Sequence, residues 1–201
     1  MSQPQEGRMT VYRGHFPPLD ERYRVREPPQ TIEDGEGRQI DIRAYGDGPV
    51  ADERAALVEL YLDYDPDDRT LGIPPVTPER IGKWQDAMLA GYCVLAWHGD
   101  RPVGQAVLVP DGDEGYEFAI FLDGEYQGAG IGTRLTEAVL SHGRAHGVED
   151  VWLLVERDNR PAVRLYRTVG FVVIEDTGYD IEMGLSMGVE RPQALPGAAA
   201  D

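Results

Sequence analysis

Cysteine is almost absent from this sequence: Cys93 is the single one among 201 residues. One cysteine cannot form an intramolecular disulfide, and it cannot supply a cysteine-based metal site. Cys93 lies in the apolar run YCVLAW, which indicates a small buried hydrophobic residue and not a reactive thiol.

Long hydrophobic segments are missing as well. No run of 18 or more apolar residues occurs, so we expect no membrane-spanning helix. The N-terminal stretch MSQPQEGRMTVYRG contains no apolar core segment, so we expect no secretory signal. These two observations favour a cytoplasmic protein.

Basic residues are scarce: 36 acidic residues face 19 basic ones, and Lys83 is the only lysine, so the formal net charge is -17. A surface this negative repels phosphates and anionic membranes, which argues against nucleic acid or a membrane as a general partner. The acidic residues are spread along the chain, which resembles proteins from salt-loving cytoplasms. Molar salt shortens the Debye length to about 3 Å and therefore screens the self-repulsion of an acidic surface. We interpret the acidity as adaptation to such an environment and not as evidence of function.

The hydrophobic pattern divides the chain into three parts. Residues 1–38 are rich in Pro, Arg and Glu without a sustained period, which predicts a flexible or loosely docked arm. Residues 190–201 are predicted to be a disordered tail. Between them, residues 39–189 alternate strand and helix patterns in the order β-α-α-β-β-β-α-β-α-β-β, as expected for one mixed α/β domain.

The stretch EYQGAGIGTRL places three glycines at alternate positions, between the strand pattern YEFAIFLD and a helix pattern. Glycines allow a tight turn, and the first amides of a following helix can then bind a phosphate together with the positive end of the helix dipole. A simple tight turn is the alternative. The G-K-[ST] ending of a nucleoside-triphosphate loop is absent, and G-x-G-x-G differs from the dinucleotide motif G-x-G-x-x-G.

Two further motifs narrow the choice. The segment QGAGIG (127–132) fits the pattern [QR]-x-x-G-x-[GA], and NRPAVRLYRTVGF (159–171) follows it. This ordered set resembles the GNAT superfamily of acetyl-coenzyme A-dependent N-acetyltransferases over roughly residues 39–187. The acetyltransferase domain of Pat-type protein lysine acetyltransferases looks most similar. The resemblance implies a GNAT-like fold, with a central mixed, largely antiparallel sheet of about six to seven strands and about four flanking helices.

The resemblance also implies a coenzyme A site. The backbone of Ile120, Phe121 and Leu122 would pair with the pantetheine arm, and one amide near Phe121 would polarise the thioester carbonyl. Asn159 would hydrogen-bond the pantetheine, and it is equally suited to cap a helix. The pyrophosphate would be bound by the loop, whose predicted residues are Gln127, Gly128, Ala129, Gly130, Ile131, Gly132 and Thr133.

Three residues are candidates for proton transfer. The resemblance places Tyr166 at the tyrosine that protonates the departing thiolate, although a core aromatic would have the same spacing. Glu117, ten residues before Gln127, matches a glutamate that some GNAT enzymes use as general base, and Glu156 at the end of WLLVE is its rival. Each glutamate could instead be a solvated charge at a strand end.

No metal is expected. His142 and His146 are four residues apart, a spacing that two metal ligands on a helix can have, but no third ligand accompanies them. Solvent-facing histidines are therefore the prediction.

The predicted reaction is direct acetyl transfer from acetyl-CoA to a primary amine, and a protein lysine is one candidate for that amine. Alternatives are a small-molecule amine, such as a polyamine or an aminoglycoside, and a non-catalytic acyl-CoA sensor. The acidic loop between the first two helices could meet a cationic acceptor, or it could simply be exposed. A homodimer stays open as an alternative to a monomer.

Overall fold

The computed structural model describes residues 26–65, 74–112 and 115–188, and this part of the chain contains eight strands and four α-helices. The strands are β1 (Gln30–Glu33), β2 (Gln39–Ala44), β3 (Tyr92–His98), β4 (Arg101–Pro110), β5 (Tyr116–Leu122), β6 (Asp150–Glu156), β7 (Val172–Asp176) and β8 (Asp180–Ser186). The helices are α1 (Val50–Leu62), α2 (Pro78–Met88), α3 (Ile131–Ala145) and α4 (Arg160–Val169).

All eight strands form one sheet in the order β1-β2-β3-β4-β5-β6-β8-β7. Every neighbouring pair is antiparallel except β5 and β6, which run parallel. The prediction of a mixed, largely antiparallel sheet flanked by four helices is confirmed. The described sheet has one strand more than the six to seven expected.

The additional strand, β1, lies inside the segment that was predicted to be a flexible arm. It pairs with β2 from Gln30 opposite Ile42 to Glu33 opposite Gln39. The predicted boundary at residue 39 is therefore corrected, because four residues next to Pro28 and Pro29 carry too little alternation to reveal a strand. Residues 1–25 of the predicted arm and the predicted tail 190–201 lie outside the described residues.

The helices cover both faces of the sheet. On one face, α1 and α2 pack residues such as Leu57 and Ile81 against the strands. On the other face, α3 and α4 do the same with Leu135 and Val163. Helix α2 begins at Pro78, directly after the extended Thr77, and proline is favoured at the first position of a helix.

No helix in the described ranges has the combination of length and apolar composition that crossing a bilayer requires.

Candidate active site

Strands β5 and β6 separate after a short paired region, and the gap between them is the centre of the candidate site. They pair at Tyr116 with Val151 and at Glu117 with Trp152. From Phe118 onward, β5 has no paired residue in β6 within the described part of the chain. The edge of β5 that faces the gap therefore offers backbone amides and carbonyls to an extended ligand.

Alternation along β5 decides which backbone groups face the gap. The amide of Asp123 donates to the carbonyl of Val103 at 2.9 Å, and in antiparallel pairing every second residue makes such bonds to the neighbouring strand. By this rule Phe121 directs its amide and carbonyl at β4, whereas Ile120 and Leu122 direct theirs at the gap. The prediction that Phe121 binds pantetheine through its backbone is corrected for this reason.

The carbonyl of Leu122 already has two donors. The Tyr64 hydroxyl donates to it at 3.0 Å, and Nε2 of Gln127 donates at 3.1 Å. These bonds connect the chain just after α1, the end of β5 and the glycine loop. The side chain of Gln127 thus supports the loop from β5, and no sequence signal indicated the contribution of Tyr64.

The glycine loop leads directly into α3. Gly128 and Gly130 have φ angles of +75° and +87°, which are left-handed conformations that glycine adopts at little cost. Gly130 precedes the helix without a side-chain cap, so the first amides of α3 have no acceptor within the helix. The predicted pyrophosphate-binding set lies together here: Gly128, Ala129, Gly130, Ile131, Gly132 and Thr133.

Gly132 brings the loop close to the gap and to α4. A Cβ atom at Gly132 would lie 3.0 Å from Cδ1 of Leu165 and 3.9 Å from Cδ1 of Ile120. The first turn of α3, the end of β5 and helix α4 therefore meet at this glycine.

Helix α4 contributes Asn159 and Tyr166. Oδ1 of Asn159 accepts the amide of Ala162 at 3.2 Å, so this residue caps the helix. The ring of Tyr166 packs against Phe118 and Phe171, with ring centroids 5.7 and 5.9 Å apart. Because Phe118 is the first β5 residue beyond the β6 pairing, Tyr166 lies beside the start of the gap.

The hydroxyl of Tyr166 makes no hydrogen bond to any residue that the structure describes. Burial raises the pKa of Tyr166 above its ordinary value. The hydroxyl is therefore protonated at neutral pH and has its proton available to donate.

Glu117 lies on the sheet face of α1 and α2, at the closed end of the gap. Its side chain is exposed at the edge of the site. Partial burial raises the pKa of Glu117, and the nearby carboxylate of Asp111 raises it further. Oδ2 of Asp111 accepts a hydrogen bond from Nε1 of Trp152 at 3.1 Å. Sequence reasoning missed Asp111 and Trp152, since it interprets the acidic residues of the chain only as surface charge.

Glu156 lies at the opposite end of the gap. It is the last residue of β6 and pairs with Asp180 of β8. Side chains alternate along a strand, so Glu156 and Trp152 point to the same face of the sheet. At roughly 3.3 Å per residue, Glu156 lies about 13 Å beyond Trp152 along β6. The structure does not bring the two candidate glutamates together. Glu117 directly precedes Phe118, the residue against which Tyr166 packs, and Glu156 has no such relation to Tyr166.

An acidic cavity of about 420 Å³ opens beside the end of β5. Four carboxylates and one guanidinium line it, so it favours a cation. Its lining consists of Asp63, Tyr64, Asp65, Arg101, Asp123, Gly124 and Glu125.

The remaining candidates stand apart from the gap. His142 and His146 have ring centroids 4.5 Å apart and pack against Tyr92. His146 is exposed, as predicted, whereas His142 is half-buried. Within the described ranges, no group of three or more His, Cys, Asp or Glu side chains could hold a metal ion. Cys93 is buried, and burial raises its pKa to about 12.

Comparison with known proteins identifies relatives of this architecture. The sequence profile of the acetyltransferase (GNAT) family matches residues 54–171. A mycothiol acetyltransferase of Saccharomonospora viridis is 40% identical over 154 residues, which are 68% of this chain and 47% of that protein. The chain spans about half or less of the length of the first curated relatives it matches.

Solved structures share the fold at low sequence identity. The GNAT domain of S. lividans PAT superposes with a TM-score of 0.65 at 13% identity, covering 79% of this chain and 96% of that domain. The PaiA N-acetyltransferase of Thermoplasma acidophilum, solved in complex with coenzyme A, gives a TM-score of 0.57 at 19% identity, covering 73% and 98%.

Proposed function

The chain belongs to the GNAT family of acetyltransferases, and from this premise we propose that it transfers an acetyl group from acetyl-CoA to a primary amine. The observation that carries the proposal is the gap between β5 and β6, which has the glycine loop at its open end and Tyr166 at its start. Family membership, fold and this arrangement all support the same reaction.

Coenzyme A would bind along the gap and the loop. The first amides of α3 suit a pyrophosphate, since they lack helical acceptors and lie at the positive end of the helix dipole. The amide and carbonyl of Ile120 and the amide of Leu122 suit the pantetheine arm, because they face the gap. Asn159 uses its Oδ1 to cap α4, and its NH₂ group is suited to donate to the same arm.

Acetyl-CoA supplies an activated acetyl group as a thioester. The amide of Ile120 is the gap-facing donor next to Phe118 and Tyr166, so we assign it to the acetyl carbonyl oxygen. A donor fixed in this position stabilises the negative charge that develops on that oxygen. Removing one such donor typically costs about 2.7–4 kcal/mol of transition-state stabilisation.

Two proton transfers complete the reaction. The amine nitrogen forms a bond to the acetyl carbon while the carbon–sulfur bond breaks, and the amine releases one proton. Glu117 accepts that proton, directly or through water, and Tyr166 donates a proton to the departing sulfur. Tyr166 must be protonated to donate, and burial favours that state. Glu117 must be ionised to accept a proton, and its partial burial opposes that state.

For the acceptor we favour a small cationic amine over a protein lysine. The curated relatives are named for a small-molecule substrate, and the acidic cavity beside β5 has net negative charge. PAT shares the fold only, at 13% identity, so the likeness gives no support to a protein substrate.

Calorimetric titration with acetyl-CoA tests the binding step directly, and a dissociation constant in the micromolar range is expected. A panel of polyamines, aminoglycosides, amino sugars and lysine peptides, followed by thiol release, then identifies the acceptor. Failure to bind acetyl-CoA at hundreds of micromolar would contradict the proposal. Release of thiol only with lysine peptides would overturn our choice of acceptor class.

A further inference from the structure

The turn between β1 and β2 contacts the glycine loop, although the two are far apart in sequence. The amide of Gly35 donates to the carbonyl of Ala129 at 2.9 Å. Nη1 of Arg38 donates to the carbonyl of Glu125 at 3.1 Å, across 87 residues of sequence. One short turn therefore holds the loop at two points, just before it and in its middle.

Arg38 is itself fixed by its surroundings. Its Nε lies 2.7 Å from Oδ2 of Asp34, and its guanidinium carbon lies 4.3 Å from the centroid of the Tyr126 ring. The other Asp34 oxygen accepts the amides of Glu36 and Arg38, both at 2.9 Å. A guanidinium held by a carboxylate, a carbonyl and an aromatic ring has little freedom to move.

The Asp34 carboxylate is well suited to this task. Its side chain is 0% exposed, and burial alone would raise its pKa. The hydrogen bonds from the Arg38 amide, the Arg38 guanidinium and the Glu36 amide outweigh burial and lower the pKa of Asp34 below its ordinary value. Asp34 therefore stays ionised and keeps Arg38 in place.

The loop has few means of holding its own shape. Gly128 and Gly130 have no side chains, and nothing lies within 4 Å of where their Cβ atoms would be. Such a segment loses conformational freedom when a ligand orders it, and this loss weakens binding unless the segment is ordered beforehand. Contacts from Gly35 and Arg38 provide that order in advance.

We propose that Arg38 is a positioning residue that holds the glycine loop in the conformation that receives the coenzyme A pyrophosphate. The inference rests on the proposed function, because the ligand is the one assigned there. Arg38 acts through the carbonyl of Glu125 and the ring of Tyr126, and it does not touch the ligand itself.

Calorimetric titrations of the full chain with three ligands test this assignment. CoA and dephospho-CoA both contain the pyrophosphate, whereas pantetheine contains no phosphate. Arg38→Ala should raise the Kd for CoA and for dephospho-CoA by a common factor of about ten, the size expected for one lost charge-assisted hydrogen bond. The Kd for pantetheine, measured at millimolar concentration, should stay within twofold.

Two further variants separate positioning from other effects. Arg38→Lys keeps the charge but not the planar fork that bonds Asp34 and Glu125 together, so CoA should still bind at least threefold more weakly than to the wild type. Arg54→Ala is the matched control, because Arg54 also bonds a carboxylate and a carbonyl, Asp86 and Gly82, between α1 and α2. It should leave all three dissociation constants within twofold.

Each contrary result has a distinct meaning. Unchanged CoA binding by Arg38→Ala, full recovery by Arg38→Lys, or equal weakening of pantetheine would each overturn the positioning role. Absence of CoA binding by the wild type would instead contradict the proposed function.

Discussion

Nε1 of Trp152 donates a hydrogen bond to Oδ2 of Asp111 at 3.1 Å, and this bond reaches from β6 across β5 to the end of β4. It lies where β5 and β6 are last paired, next to Glu117. The same contact therefore secures the closed end of the gap and keeps a second carboxylate beside the proposed base.

This arrangement predicts how acetyl transfer depends on pH. Glu117 must be ionised to accept a proton, so kcat/KM should rise with pH as Glu117 ionises. Partial burial is the larger cause that raises the pKa of Glu117, and the Asp111 carboxylate raises it further. Asp111→Asn removes the like charge, so the acid limb of the kcat/KM profile should move to lower pH.

The profile is measured with one amine acceptor for all variants, so that the ionisation of the amine cancels. The flanking groups opposite Glu117 in β4 and β6, Val109 and Trp152, carry no charge. Asp150, at the start of β6, is not among the groups that raise the pKa of Glu117, so Asp150→Asn is the matched control and should not move the limb. Glu117→Gln should abolish the limb, and an unmoved limb in Asp111→Asn would argue against electrostatic coupling.

Tyr166→Phe tests proton donation to the leaving sulfur. The change should lower kcat by a factor of about 10²–10⁴, the usual contribution of a general acid or base. The Kd for acetyl-CoA and the melting temperature should stay nearly unchanged, since the hydroxyl makes no hydrogen bond to the described residues. Steady-state kinetics, calorimetry and a thermal melt measure the three quantities.

Tyr179→Phe is the control for this experiment, because Tyr179 is a tyrosine with 87% of its surface exposed. Equal turnover by Tyr166→Phe and the wild type would remove Tyr166 from the mechanism. An acyl-CoA sensor would bind the ligand and show no turnover in either protein.

Much of the fold can be predicted from the sequence, because its strands and helices follow local hydrophobic periodicity. Alternating and helical patterns predict seven of the described strands, all four helices and the glycine loop before α3. The strand β1 is missed, since four residues beside two prolines show no clear period. Its pairing with β2 is what brings Arg38 to the glycine loop.

The candidate site can be predicted from the sequence only in part. Motifs place Tyr166 and the loop glycines, because these residues are close in sequence to the elements they serve. The proposed roles of Asp111 and Arg38 depend on contacts between segments that are distant in sequence. No local sequence pattern predicts these contacts. The direction of the Phe121 amide likewise follows from its register with β4 and not from the motif.

Gly130→Ala should weaken coenzyme A binding more than it weakens the fold. Gly130 has a φ angle of +87°, and placing a side chain in the left-handed region costs about 1–2 kcal/mol. If the loop relieves this strain by changing shape, the amides at the start of α3 no longer converge. Calorimetry should show the Kd for CoA rising, and denaturant unfolding should give the cost in stability.

Gly178→Ala supplies the comparison. Gly178 has a similar φ of +92° and equally open surroundings, but it lies in the turn between β7 and β8. A similar loss of stability without a change in Kd is expected. Equal Kd values for the two alanine variants would mean that the loop conformation does not control binding.

Cys93 should be chemically inert, and its removal should leave acetyl transfer intact. Burial raises the pKa of its thiol to about 12, and Nε2 of Gln105 lies 3.4 Å from the sulfur. At pH 8 the thiol is therefore protonated and shielded, so a disulfide reagent such as DTNB should label the folded protein negligibly and the denatured protein once.

Direct attack by the amine requires no acetylated cysteine, so Cys93→Ala should retain kcat if the core tolerates the smaller side chain. A thermal melt checks that tolerance. Loss of turnover in a folded Cys93→Ala variant, together with rapid native labelling, would point to a covalent route and contradict the direct transfer proposed above.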